Sequence, residues 1–441
     1  MGTKSKTPQV QQLVAPSKWD IIPMHTSDRA TFKACRRRWY WSSPAQMNLV
    51  PKTSVYGIYK PFWFGTGIHY ALQRFYDPTL QEDPEVTFDY WYNLQWEGGI
   101  IGEHELTEFE DRKPFLGTDG HWRIEGLCDM LPNPEDEEWE EHHQLGLGMM
   151  RFYKEYAERE DDFTVVNTEH LFSVPVLTPT GEPLYMQDTR TMPDEWQPNY
   201  SIGNEYGPLM DNNYVGPGEL GPVMKQVHAR GRMDLIVQSH KTEKYVLIDH
   251  KTVGHAIDDN YFRHLDLDEQ CTTYSWAAEQ EARMHGLPYT DIAGIVYQAI
   301  RKAYPAPPTI LEKSKQPSIN RATEHTTARL FEKTIKDLGL TALFNNDTKM
   351  QAYYTYLVDM GDKQYVWRES VTRNDAQKAS AGMRLYLEAL DMLSPDIRIY
   401  PNPTKDYSCL NCAFRQPCVS LEAGYDYESM IADNYERNYD R

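Results

Sequence analysis

The chain has 441 residues, with 45 lysines and arginines against 65 aspartates and glutamates, a formal charge of −20. That length supports one large or two smaller domains, and with no apolar run of about eighteen residues and no signal-peptide core the expectation is a soluble, cytoplasmic protein without a membrane partner. So acidic a chain excludes broad electrostatic steering toward nucleic acid, and any phosphate-binding role has to concentrate positive charge locally.

Residues 1–26 show little periodicity and read as a flexible lead-in. Ser27 and Asp28 then cap a predicted helix that runs through Phe32 and Cys35 into Arg36, Arg37, Arg38, Trp39, Tyr40 and Trp41. The arginines could bind phosphate while Trp39 or Tyr40 stacks on a base; aromatics packed inward beneath solvated arginines read equally well. Gly65-Thr66-Gly67-Ile68-His69 leads a second helix, with residues 68, 72, 75 and 76 on one side and His69 at the edge of that stripe. Residues 77–145 carry Trp91, Trp96, Trp122 and Trp139 and read as folded material, with a solvated acidic run around Glu135–Glu141. A helix over 145–158 and a strand over 165–176 containing Glu169 follow. Residues 178–222, dense in glycine and proline, read as a long loop that covers a site or touches substrate.

The stretch from Gly231 to Lys251 reads as a β-hairpin, with strands over 232–237 and 244–249 and a polar turn at 239–243. Asp249 and Lys251 share a strand face, and Asp234 can meet them from the partner strand. Two carboxylates within mutual reach favour a hard divalent cation, Mg²⁺ or Mn²⁺, and the adjacent lysine can hold a phosphate oxygen, orient water or stabilise developing charge. Downstream, Leu267, Gln270, Cys271, Tyr274, Ala277 and Ala278 fall on one helical face, with Cys271 expected in the core. A strand over 291–300 completes the order strand, hairpin, helix, strand, an α/β core. The segment 301–327 is proline-rich and basic, with Arg301, Lys302, Lys313, Lys315 and Arg321, and reads as a strand-gripping loop or a plain linker. Helices are expected at 322–338, 346–360 and 370–393. Cys409, Cys412 and Cys418 then make a C-x2-C-x5-C cluster that reads as a metal site wanting a fourth ligand, before an acidic tail at 421–441.

Gly231-Arg-Met-Asp234 and Ile248-Asp-His-Lys251, with Gln270 and Tyr274 downstream, resemble the PD-(D/E)XK nuclease core, in the branch holding the RecB and AddB nuclease domains, the CRISPR-associated RecB-type exonucleases and phage-encoded relatives. The resemblance implies a restriction-endonuclease-like fold, a mixed central sheet flanked by helices, here as a single domain over 27–420 with insertions at 77–225 and 322–393. It implies that His69 joins Asp234 and Asp249 around Mg²⁺ or Mn²⁺, and that Gln270 and Tyr274 support Lys251 or a phosphate. Glu169 stands where the family has a glutamate, which we read as a supporting residue rather than a metal ligand. The three-cysteine tail is similar to the iron–sulfur branch, which implies that Cys35 joins Cys409, Cys412 and Cys418 around a [4Fe–4S] cluster, with Zn²⁺ as the alternative. The implied activity is a DNA exonuclease acting on single-stranded or free ends in recombination, repair or phage DNA processing, with recombination or helicase proteins as partners. Arg36, Arg37, Arg38, Trp39, Lys313 and Lys315 are the candidate nucleic-acid contacts. The rivals are a catalytically silent DNA-end-binding or scaffold protein and a zinc-stapled protein with no nucleic-acid role.

Overall fold

A computed structural model describes residues 20–43, 45–51, 60–96, 114–116, 122–124, 137–188, 224–258, 260–404, 407–410 and 412–437. In chain order its elements are β1 (Ile21–His25), α1 (Thr26–Ala34), α2 (Arg36–Ser42), β2 (Leu49–Pro51), α3 (Lys60–Tyr76), α4 (Pro84–Trp96), β3 (Pro114–Leu116), β4 (Trp122–Ile124) and α5 (Glu137–Glu160). Then come β5 (Phe163–Pro175), β6 (Tyr185–Gln187), β7 (Met224–Ser239), β8 (Tyr245–Val253), α6 (Glu269–His285) and β9 (Ile292–Arg301). The chain continues through α7 (Ala328–Asp337), α8 (Thr341–Asn346), α9 (Thr348–Met360), β10 (Val366–Thr372), α10 (Asp375–Met392), α11 (Tyr407–Leu410), α12 (Arg415–Glu422), α13 (Tyr427–Asn434) and β11 (Tyr435–Arg437).

The centre is a mixed seven-stranded sheet, the arrangement expected for a restriction-endonuclease-like fold. Its axis is β7. Along one edge β7 pairs antiparallel with β5; on the other its first half pairs parallel with β1 and its second half antiparallel with β8. β8 pairs parallel with β9 through the crossover helix α6, and β9 pairs antiparallel with β10. Parallel neighbours need such a crossover, which is why an amphipathic helix separates two apolar strands here.

Helices cover both faces, so the strands are apolar on both sides. One core gathers Ile236, Leu247, Ile295 and Ala299 with Ala277, Ala278 and Ala282 of α6 and Ala381, Leu385 and Ala389 of α10. The small side chains let both helices lie close to the sheet. The other gathers Leu235, Val237, Ile248 and Ile300 with Ile68 and Leu72 of α3, Phe88 of α4 and Met149 and Tyr153 of α5. A third core, Phe331, Ile335, Met350, Tyr353 and Leu357, belongs to the helices between β9 and β10.

Several expectations change. The predicted helix from Ser27 breaks at Cys35, whose backbone is extended, and neither Ser27 nor Asp28 caps it: the cap position is His25, with no side-chain bond. The helix expected over 370–393 starts only at Asp375, because Val366-Trp-Arg-Glu-Ser-Val-Thr372 pairs antiparallel with β9 as a strand. In α10, Met383, Leu387 and Leu390 face outward while Leu385 and Met392 are buried. Leu267 precedes α6 and is 88% exposed, off the buried face assigned to it. The acidic tail over 421–441 is held down as far as Arg437: α13 lies within it, β11 pairs with β2, and Tyr435 is buried in one cluster with Trp41 and Phe414. The lead-in before Asp20, Cys128 and most of the 178–222 loop lie outside the described residues.

Candidate active site

β7 and β8 hydrogen-bond to each other only from Leu235–Ile248 to Gln238–Tyr245. Beyond that rung they part, β7 running along β1 and β8 continuing beside β9 to Val253. Continuing the register by one residue sets Asp234 opposite Asp249, at the mouth of the fork. A backbone donor freed there finds a side chain: the His250 N–H donates to Asp234 Oδ2 at 2.6 Å. Asp249 Oδ2 lies 2.7 Å from Lys251 Nζ, and its Oδ1 accepts a hydrogen bond of 3.0 Å from Gln270 Nε2.

Gln270 reaches Asp249 because α6 begins at that level, its first turn capped by Asp268, which accepts from the Cys271 N–H. One turn on, the buried Tyr274 ring meets Phe172 edge-on at 5.4 Å. Both rings crowd Gly231, where an added Cβ would fall 2.7 Å from Phe172 and 3.2 Å from Tyr274. That packing is what the glycine of Gly231-Arg-Met-Asp234 serves.

From the opposite face α3 brings His69. Its neighbour Ile68 is fully buried, which fixes the helix against the sheet. A Cβ on Gly67 would lie 2.4 Å from the Trp91 ring, so only glycine lets α4 pack there. His69 Nδ1 sits 3.7 Å from Asp234 Oδ1 and 3.7 Å from Glu169 Oε1. The pairs Thr168–Leu235 and His170–Met233 set Glu169 directly opposite Asp234. Glu169 has φ +45°, left-handed backbone in a non-glycine residue, a strain of about 1–3 kcal/mol that the surrounding strand pairing sustains. Arg232 Nη1 lies 3.5 Å from its other carboxylate oxygen.

His69, Glu169 and Asp234 each offer a ligand atom, and these atoms lie within 4.8 Å of one another, the one such group of three among the described residues. An imidazole nitrogen with carboxylate oxygens suits a hard divalent cation such as Mg²⁺ or Mn²⁺. The electrostatics agree. Burial raises Asp234, with Glu169 adding to it, and burial with the Asp234 charge pushes Asp249 up to about 6. For His69, burial pulls downward, but Asp234 and Glu169 outweigh it and raise it to about 9. Lys251 is likewise raised despite burial, by Asp249 and Asp234. Negative charge in excess of its compensation is what a bound cation relieves.

Behind the fork runs a buried polar network. Gln298 Nε2 lies 2.7 Å from His250 Nδ1 and 2.8 Å from the Tyr153 hydroxyl, and Gln298 Oε1 accepts from Arg368 Nε. Arg368 pairs with Asp161 at 2.6 Å, and Tyr76, bonded to Asp161 and Tyr153, stacks on His250. His250 is in turn edge-on to His69 at 6.1 Å.

Of the residues singled out by sequence, the structure brings His69, Asp234, Asp249, Lys251 and Gln270 together, with Tyr274 a turn beyond. Glu169, read as a supporting residue, lies with His69 and Asp234 in the group whose ligand atoms fall within 4.8 Å of one another. The Gln298–Arg368 network was missed, although the lone polar Gln298 within the apolar run Ile295–Ile300 marked it. The proposed base contact Trp39 is fully buried against Phe32, leaving no face for a base. Arg36 pairs with Asp391 and Arg37 with Glu422, while Arg38, Lys313 and Lys315 are exposed.

Cys35, at the break between α1 and α2, lies near the C-terminal cysteines. The Cys412 thiol is raised by burial, with Cys35 and Cys418 adding to it. Sulfur atoms accept from the Asn402 N–H (Cys35, 3.5 Å), the Thr404 N–H (Cys409, 3.3 Å) and Arg37 Nη1 (Cys418, 3.5 Å). Cys271, as expected, is buried in the core.

No curated protein matches the chain. A family model for the PD-(D/E)XK nuclease superfamily matches residues 26–419, which takes in every residue of the fork and its supporting helices. With that match across nearly the whole described fold, and with the Asp249-x-Lys251 pair seated at the strand fork, the chain belongs to the PD-(D/E)XK nuclease superfamily.

Proposed function

We propose that this protein is a metal-dependent deoxyribonuclease that hydrolyses phosphodiester bonds from DNA ends. The observation that carries the reading is the convergence of His69, Glu169, Asp234, Asp249 and Lys251 in one strand fork. His69, Glu169 and Asp234, with Asp249 beside them, would hold Mg²⁺ or Mn²⁺, which when bound stabilises charge on the phosphoryl oxygens and lowers the pKa of water. Lys251 stays protonated between Asp249 and Asp234. It therefore serves as a fixed positive charge for a phosphate oxygen or the attacking water, not as a general base. Gln270, holding Asp249 Oδ1, is a positioning residue, and Tyr274 packs behind it. Water attacks phosphorus and the bond to the leaving sugar oxygen breaks.

Action at ends, preferentially single-stranded ones, rests on the likeness to RecB-type exonucleases in Gln270, Tyr274 and the cysteines. Cys35, Cys409, Cys412 and Cys418 would hold a structural [4Fe–4S] cluster, with Zn²⁺ the alternative. Absorbance near ~400 nm in anaerobically purified protein, together with iron and zinc content, separates the two.

The test is degradation of end-labelled single-stranded and duplex DNA with Mg²⁺ or Mn²⁺, alongside Asp234→Ala and Lys251→Ala. Loss of label that falls by at least ~10³-fold in both variants is the expected outcome. Cleavage insensitive to chelator, or undiminished in either variant, would overturn the mechanism, and no cleavage by folded wild-type protein would leave the scaffold reading in its place.

A further inference from the structure

The helical insertion between β9 and β10 has features that the active site does not use. It leaves the sheet at Arg301 and returns at Val366, which pairs with Ile300. Lys251 pairs with Ala299 on the same strand, so the insertion is rooted on the rim of the fork. The root is pinned there: the Lys302 N–H donates to Val253 O at 2.8 Å, and its ammonium sits 5.2 Å over the ring of Phe64, on the helix that carries His69.

The charge of this segment runs against that of the molecule. From Arg301 to Lys336 there are eight lysines and arginines and three acids, a surplus of five positive charges in a chain of net −20. Elsewhere, Arg29, Arg37, Arg74, Arg151, Lys154 and Arg368 are each held by a carboxylate. Lys313, Lys315, Arg329 and Lys333 are exposed and have no carboxylate partner among the described residues, whereas Lys336 pairs with Glu332. Their presentation is built into the fold. On α7, Phe331 and Ile335 are buried in the insertion's own core, and Arg329 and Lys333, two positions before each, fall on the opposite face. Lys313 and Lys315 stand on a tight turn closed by the Ile310–Pro317 bridge and by the Leu311 N–H to Gln316 O, with Lys315 in the left-handed region at φ +56°. The insertion also carries a stacked pair: the Arg321 guanidinium lies 4.1 Å over the Tyr356 ring, which is near-parallel to Tyr353 at 6.2 Å.

We propose that this insertion is the surface that grips the DNA strand leading to the fork, with Lys313, Lys315, Arg329 and Lys333 on backbone phosphates and the Arg321–Tyr356 pair as a stacking platform for single-stranded bases. Unpaired cations beside an exposed guanidinium stacked on a half-buried ring offer charge and a flat face to a single strand without reading sequence. The proposal rests on the nuclease reading above and specifies how its substrate is held.

The test is fluorescence anisotropy with a labelled mixed-sequence oligonucleotide, single-stranded or duplex, titrated over a range of KCl. It compares an Asp249→Asn protein, which preserves the label, with the same protein carrying Lys313→Gln, Lys315→Gln, Arg329→Gln and Lys333→Gln. Four lost contacts to a single strand make the slope of log K against log salt shallower by about 3 and weaken binding about tenfold or more at low salt. With Asp249 restored, the same four substitutions raise KM while the single-turnover rate at saturating DNA holds. Tyr356→Leu weakens single-strand binding more than duplex binding. An unchanged slope and affinity, in variants whose circular dichroism matches the parent, would overturn the proposal and leave the nuclease reading intact. Absence of binding by the parent to either DNA would sink both, and equal losses on duplex and single strand in Tyr356→Leu would overturn the stacking role.

Discussion

A carboxylate pressed against other carboxylates and sealed from water holds its proton more tightly than it would in the unfolded chain. Asp249 goes from 3.8 to about 6, so the stability it contributes is full below about 4 and lost as pH rises through about 6. His69 goes from 6.5 to about 9, so its contribution is full below about 6.5 and lost as pH rises through about 9. The two effects share a direction. Metal-free protein is therefore expected to melt at progressively lower temperature from about pH 6 to about pH 9, and Mn²⁺ to restore more stability at the upper end, because the ion takes the place of the protons. Thermal melts in EDTA and in Mn²⁺ across that range check this; a Mn²⁺ stabilisation that shrinks with rising pH would sink it. Asp234, Asp249 and Lys251 were legible in the sequence because acids and a lysine within apolar strands betray themselves by type. Glu169 was legible only as a supporting residue, because its place beside His69 and Asp234 depends on a cross-strand register and a left-handed backbone that no local pattern encodes.

At the scale of elements, the fork is only as rigid as what lies behind it. Gln298 is fully buried and joins β8, β9, β10 and α5 through His250, Arg368 and Tyr153. Replacing it with leucine keeps the volume near but strips the His250 ring and Arg368 Nε of a partner in a dry interior. Gln298→Leu is expected to cost roughly 3 kcal/mol, read from denaturant unfolding. It is also expected to weaken Mn²⁺ binding by at least several-fold, because the His250 backbone holds Asp234. Unchanged metal affinity in a destabilised variant would confine the network to a structural role. Sequence periodicity found α6 and β9 and lost β10, and the reason is physical. Met383, Leu385, Leu387 and Leu390 simulate a broad helical seam, whereas Val366–Thr372 gains its strand character from an antiparallel neighbour across the insertion. Periodicity reports a residue's own element well and its partner poorly.

For the molecule as a whole, the N-terminal helices and the segment after Cys409 form one unit. Trp41 packs on Phe414 at 5.6 Å, Phe414 stacks on Tyr435 at 5.1 Å, and Arg37 reaches Glu422. Phe414→Ala is expected to lower stability by about 3–5 kcal/mol and to expose both the Trp41 region and the region around Tyr435 to limited proteolysis together. Cleavage confined to the C-terminal side would show that the two are not coupled.

The pairing of β1 with β7 also sets a timetable. Ile21 has to wait for Gln226 before its strand is hydrogen-bonded. At typical synthesis rates that interval is about 10–40 s, during which β1 is an unpaired, apolar strand on a growing chain. The fork itself needs β9 and α6, made later still. A nascent chain that has not yet reached Arg301, the end of β9, therefore carries no assembled fork.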